Sequence, residues 1–166
     1  MYVLGISCYY HDSAACLVKD GVALAAAAEE RFSRKKHDNS FPYQSIDFCL
    51  KEAGIALNEV DHVVFYEKPI LKFERVVSQH LHHFPKSFAA GMNSLPHWFD
   101  QKLQIQKLLK EELFYQKPPL YVQHHLSHAA SAFYLSGFKK AAIVTLDGVG
   151  EWATTTIGMG RGKTIK

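Results

Sequence analysis

Residues 122–137 read VQHHLSHAASAFYLSG, with three histidines in five positions at the head of a helix-forming run. His124 and His128 are spaced i, i+4, which on a helix puts both imidazoles on one face with β-carbons about 6 Å apart, close enough to share one metal ion. Asp147 ends an apolar run in TLDGVGE, the place where a strand presents a carboxylate at its C-terminal end. Two imidazoles and a carboxylate with open positions suit Fe²⁺, Mn²⁺ or Zn²⁺. The competing reading makes His125 or His128 a capping or surface residue of a helix start, and His125 fits that description best. Spacing alone leaves both readings open.

Three other stretches carry residue types with chemistry. Gly148 and Gly150 follow the same apolar run, where backbone N–H groups can approach a phosphate closely. The Lys-Ser/Thr of a P-loop is missing there, and a Gly-rich hairpin connector accounts for the same residues. His11 and Asp12 lie between two apolar runs and would crown the end of a sheet, either orienting a hydroxyl and moving its proton or forming an Asx-type turn without chemistry. EERFSRKKHDNSFP, residues 29–42, gathers Arg31, Arg34, Lys35, Lys36 and His37, a run that can neutralise a phosphate-like anion or simply be a solvated loop. His80, His82 and His83 stand in a polar stretch that reads as a solvated face.

These residues need elements to hold them. YVLGISCYY reads as a strand, and two further apolar runs flank Lys19-Asp20-Gly21, a hairpin-turn signal. The alanines at 25–28 favour a helix by propensity, but their place after a tight turn predicts a strand continuing the meander. Ile46, Cys49, Leu50 and Ala53 recur at helical spacing and Gly54 stops that helix. DHVVFYEK predicts a fourth strand, residues 70–117 a mostly helical region, and KPPLYVQHH a strand delivering the histidines. Residues 126–136 predict a helix with Leu126, Ala130, Phe133 and Tyr134 on one face. KAAIVTLDGVGEWATTTIGMGRG then repeats the opening layout of strand, polar turn and strand, and a hairpin from 142 to Lys166 with nothing after it to cover it reads as part of a longer protein.

Composition excludes several classes. The 166 residues are 48% hydrophobic and 21% charged, enough for one core of ordinary globular type. The formal charge of +3 is mild and spread out, which argues against nucleic acid as a partner. Cys8, Cys16 and Cys49 are an odd number in apolar surroundings, as expected of reduced thiols in a cytoplasmic protein, and no CxxC pair suggests zinc. No basic leader opens the sequence and no 18-residue apolar run directs it to a membrane.

Four ordered motifs, LGISCYYHDSAACLVKDG, AAEERFSRKKHDNSFP, HHLSHAASAFYLSGF and LDGVGEWATTTIG, resemble the N-terminal part of the NodU/CmcH-type carbamoyltransferase family. The resemblance covers almost all of the chain outside roughly 68–117. It implies an α/β fold, actin-like and duplicated ribonuclease-H-like (the ASKHA superfamily), with a mixed sheet flanked by helices. Residues 1–140 would form the first subdomain with a helical insertion at about 68–117, and 141–166 the opening strands of a truncated second subdomain.

The resemblance also implies an activity. Such a parent enzyme would transfer a carbamoyl group, from carbamoyl phosphate by way of a carbamoyl-adenylate made with ATP, to a hydroxyl of a small-molecule acceptor in a biosynthetic reaction. A separate C-terminal YrdC-like domain would make the adenylate. By motif, His124 and His128 match the family's H-x-x-x-H and Asp147 its DG.GE aspartate, with Fe²⁺ the first choice of metal and Mn²⁺ or Zn²⁺ as alternatives. Gly148 and Gly150 would approach the nucleotide, and His11 and Asp12 would hold or deprotonate the acceptor hydroxyl. A further carboxylate ligand would lie beyond Lys166, so these residues alone are expected to turn over little or nothing. Two alternatives stand beside this: a sugar kinase or chaperone-type ATPase of the same superfamily, against which the paired histidines speak, and a non-catalytic metal- or partner-binding piece that self-associates through its unfinished sheet.

Overall fold

The computed structural model describes residues 1–93 and 102–166. They fall into two compact units, one built from Met1–Tyr66 and the described residues through Tyr121, the other from Glu67 to residue 93 and Val122–Lys166. In the first, β1 (Tyr2–Ser7), β2 (Ala14–Lys19) and β3 (Val22–Ala28) form an antiparallel meander, and β4 (His62–Phe65) and β5 (Leu120–Tyr121) add on parallel to β1. The order β3-β2-β1-β4-β5 is the ribonuclease-H-like mixed sheet expected from the sequence.

Local chemistry explains the meander. Asp20 and Gly21 both take positive φ, 50° and 86°, which matches a two-residue turn to the right-handed twist of the strands on either side. The alanine run is a strand, as its position required, because each of Ala25–Ala28 pairs with β2. A register shift opposite Leu17 and Val18 leaves Leu24 unpaired in that ladder. Alternate residues of three strands, Leu4 and Ile6, Ala15 and Leu17, Val63 and Phe65, are buried in one core. Helix α1 (Glu30–Ser33) is a single turn, and α2 (Tyr43–Ala53) adds Ile46 and Cys49 to that core before Gly54 stops it at φ 64°. None of Cys8, Cys16 and Cys49 is in a disulfide, and Cys49 donates to the Ala15 carbonyl at 3.6 Å.

The loop after α1 is pinned by Asp38. It accepts from the Ser40 hydroxyl at 2.6 Å and the Ser40 N–H at 3.0 Å, while its own carbonyl receives the Ser13 N–H at 2.7 Å. Hydrogen bonds from the Ser40 and Ser33 side chains and the Ser40 backbone pull its carboxyl from 3.8 to about 2, against the opposing effect of burial. A carboxyl with a depressed folded value favours the folded state above its ordinary range, and that contribution is lost as pH falls toward about 2. Asp38→Asn should therefore flatten the loss of stability between about pH 4 and 2 in acid-unfolding curves. Equal slopes for the two proteins would remove this role from Asp38.

In the second unit, α3 (Pro69–His82) follows Lys68, and residues 88–93 are helical again. The part of the expected helical region at 94–101 lies outside the described residues, and α4 (Ile105–Leu113) returns to the first unit with Ile105 and Leu109 in its core. Helix α5 (His124–Leu135) packs on the antiparallel sheet of β6 (Lys140–Leu146), β7 (Thr155–Arg161) and β8 (Thr164–Ile165) through Ala129, Phe133 and Ile143. A Cβ on Gly160 would strike the Phe133 ring, so glycine lets the helix approach β7. The buried face differs from the expected one. His124, His125, Ala129 and Phe133 are inside, whereas Leu126 and Tyr134 are exposed. The helix starts two residues earlier than expected, and polar partners at its start bury histidines instead of leucine. The strand expected over KPPLYVQHH is only Leu120–Tyr121. Among the described residues no helix is long and apolar enough to cross a membrane.

Candidate metal centre

The histidine helix is anchored before any ligand is considered. Gln123 is extended (φ −60°, ψ 138°), and the chain turns helical at His124. The Glu151 carboxylate accepts the His124 N–H at 3.2 Å and the Lys68 N–H at 2.6 Å, so one buried acid caps the start of α5 and the entry to α3. His125 fixes the helix to the sheet. Its Nε2 donates to the Ala153 carbonyl at 2.7 Å, which leaves Nδ1 to accept from the Thr145 hydroxyl at 2.6 Å, and Thr145 in turn receives the Thr156 hydroxyl. Both ring nitrogens are thus used, and His125 is a bracket rather than a ligand.

With the helix held so, His124 and His128 face one another, ring centroids 4.7 Å apart and Nε2 to Nε2 3.1 Å. Asp147, the residue after β6, brings Oδ2 to 2.5 Å from His124 Nε2 and 3.8 Å from His128 Nε2. Its other oxygen accepts the Val149 N–H at 3.3 Å, which turns Oδ2 toward the imidazoles. His124 is buried, Asp147 is 26% exposed and His128 51%, so the trio is walled on one side and open on the other. Burial, and then the neighbouring His124 imidazole, push His128 below its ordinary value. Burial would raise Asp147, but the Val149 N–H and then His124 outweigh it and hold the carboxyl down. A lowered imidazole at His128 and a lowered carboxyl at Asp147 both favour the forms that ligate a divalent ion, and one donor atom from each of His124, His128 and Asp147 lies within 4.8 Å of the others. The donor set fits such a metal.

The other expected site residues are distributed as follows. Gly150 needs no phosphate to explain it, since a Cβ there would collide with the Ala153 carbonyl and the His125 ring. At Gly148 a Cβ would meet nothing within 4 Å, and the turn is open. His11 is exposed and packs edge-on to Tyr10, centroids 4.2 Å apart. Asp12 bonds to His37, Oδ1 to Nδ1 at 2.9 Å, and the His37 N–H reaches Glu30 at 3.2 Å. Asp12, Glu30 and His37 thus form a second close group in the first unit. His80 and His83 bond back to the carbonyls of Val76 and Gln79 on their own helix.

Sequence reasoning missed the buried polar residues around the trio. Glu151 was visible only as the acid closing LDGVGE, and Glu67 and Lys72 as charges flanking Pro69.

Residues 2–166 match the family described as Carbamoyltransferase N-terminus, and the chain belongs to that family. It is 51% identical to the uncharacterized protein sll1178 of Synechocystis sp., over 99% of this chain and 28% of that protein. It is also 37% identical to the nodulation protein NolNO of Sinorhizobium fredii, over 95% of this chain and 22% of that protein. The chain therefore spans about a quarter of the length of these curated relatives. Among solved structures, YeaZ from Pseudomonas aeruginosa matches with a TM-score of 0.46 at 17% identity, covering 99% of this chain and 65% of that one.

Proposed function

We propose that this chain is the N-terminal portion of an O-carbamoyltransferase whose divalent metal is held by His124, His128 and Asp147. The observation that carries the proposal is the convergence of two Nε2 atoms and one carboxylate oxygen in a chain that matches the carbamoyltransferase family. The substrate class is a carbamoyl-adenylate, formed from carbamoyl phosphate and ATP by a YrdC-like domain elsewhere in the parent protein. The acceptor is a small molecule with a free hydroxyl. When bound, the ion supplies Lewis-acid stabilisation of charge developing on the carbamoyl or phosphate oxygens. The acceptor oxygen bonds to the carbamoyl carbon, the bond from that carbon to the AMP phosphate oxygen breaks, and the hydroxyl proton goes to a base. His11 and Asp12 are the proposed holders of that hydroxyl, with Asp12 steadied by His37. The open turn at Gly148 gives backbone room for the nucleotide.

The test is an assay of the full-length protein with ATP, carbamoyl phosphate and a panel of polyol and aminoglycoside-like acceptors. Release of AMP that depends on carbamoyl phosphate, together with carbamoylated acceptor by mass spectrometry, is the expected result. ATP turnover to ADP with a phosphorylated acceptor would replace this reading by the sugar-kinase one.

A further inference from the structure

Glu67 and Lys72 are both 2% exposed and bond at 2.5 Å, Nζ to Oε2. A fully buried ion pair is costly to assemble, since desolvation of two charges offsets most of their attraction. Lys72 lies in the first turns of α3, and Glu67 comes just before the helix, so local structure alone does not require either charge to point inward. The pair has a neighbour that explains its placement. The same Glu67 oxygen that receives Lys72 lies 3.8 Å from Nδ1 of His124, on the side of the ring opposite the Nε2 that faces His128 and Asp147.

From this geometry we infer that Glu67 is a positioning residue for the metal centre and that Lys72 regulates its strength. The inference rests on the metal reading above. At 3.8 Å the contact is longer than a hydrogen bond, so Glu67 acts through its charge: a buried carboxylate behind the far nitrogen favours the proton there and makes the near nitrogen a better donor. With an ion bound, a proton held on Nδ1 by that charge would leave the Nε2 lone pair for the metal. Lys72 draws on the same Glu67 oxygen and so moderates what the carboxylate lends to His124. The buried pair is a dipole with its negative end against the imidazole.

Placement in the site makes the two charges act with opposite sign, which a packing role would not do. Glu67→Gln keeps the shape, removes the carboxylate and leaves a buried ammonium near the centre. Lys72→Met keeps the stem and frees the carboxylate.

The experiment is titration of the full-length protein with Co²⁺, followed by its visible absorption, with thermal unfolding recorded with and without the ion. Glu67→Gln is expected to weaken Co²⁺ binding about 10–100-fold and shift the absorption band. Lys72→Met is expected to tighten binding, or to fold only once Co²⁺ is present, because the ion then compensates the unpaired carboxylate. The double variant E67Q/K72M removes both charges and should bind more weakly than wild type. Wild-type affinity and spectrum in Glu67→Gln, or equal weakening in both single variants, would overturn the inference while leaving the metal site standing. A wild-type protein that takes up no Co²⁺ would overturn both.

Discussion

Replacing His128 by alanine is expected to cost metal affinity and little else. The side chain is 51% exposed, so its loss opens no cavity in the core, yet its Nε2 is one of the three donor atoms of the proposed centre. Structural zinc sites gain roughly 10–16 kcal/mol from four ligands, so one ligand is worth on the order of 3 kcal/mol, or about 10²–10³-fold in affinity. Asp147→Asn should act similarly, since the amide keeps the Val149 contact but gives up the charge. His124→Ala should lose the metal as well and destabilise the apoprotein, because the ring is buried between Asp147 and Glu67. Isothermal titration with Zn²⁺ or Co²⁺ separates these effects when melting curves are recorded beside it. Unchanged affinity in His128→Ala would remove it from the ligand set.

Glu29→Ala is expected to destabilise the fold by about 3 kcal/mol. Glu29 is 3% exposed, and its carboxylate caps α2 from outside that helix. It accepts the backbone N–H of Gln44 at 3.0 Å and of Ser45 at 2.8 Å, and the Ser45 hydroxyl at 2.6 Å. These are early helix donors with no partner within the helix, and Pro42 at the N-cap offers no side chain to take them. The negative charge also sits at the positive end of the helix dipole. Alanine would leave two N–H groups and a hydroxyl without acceptors, at roughly 1–3 kcal/mol for each group that water cannot reach. Urea unfolding gives the difference directly. A loss below about 1 kcal/mol would mean that water takes over the cap.

The contrast between these residues shows what the sequence makes legible. The meander and α2 follow from local signals: Asp20-Gly21 dictates the hairpin, helical spacing buries Ile46 and Cys49, and Gly54 ends the helix. The i, i+4 pair and the strand-end acid could also be read locally, because helix geometry and strand direction fix where such side chains go. Glu29, Glu67 and Glu151 could not be. Each serves a partner that only the fold brings near, as Glu151 does for His124 across 27 positions of sequence. The bracing role of His125 is hidden from the sequence for the same reason, since its two partners come from β6 and the turn after it. The buried face of α5 departs from its apolar periodicity because periodicity carries no information about polar partners. Leu126 lost its expected place to His124 and His125, whose hydrogen bonds compensate their burial.

The measurement that tests the account most directly is X-ray absorption on the metal-loaded full-length protein, with the double variant H124A/H128A as its reference. The expected result is one divalent ion per chain with nitrogen and oxygen neighbours at about 2.0–2.2 Å and the outer-shell scattering of two imidazoles, all of it absent from the variant. A bound metal without imidazole scattering, or one retained unchanged by the variant, would contradict the claim that the histidine helix holds the metal of a carbamoyltransferase.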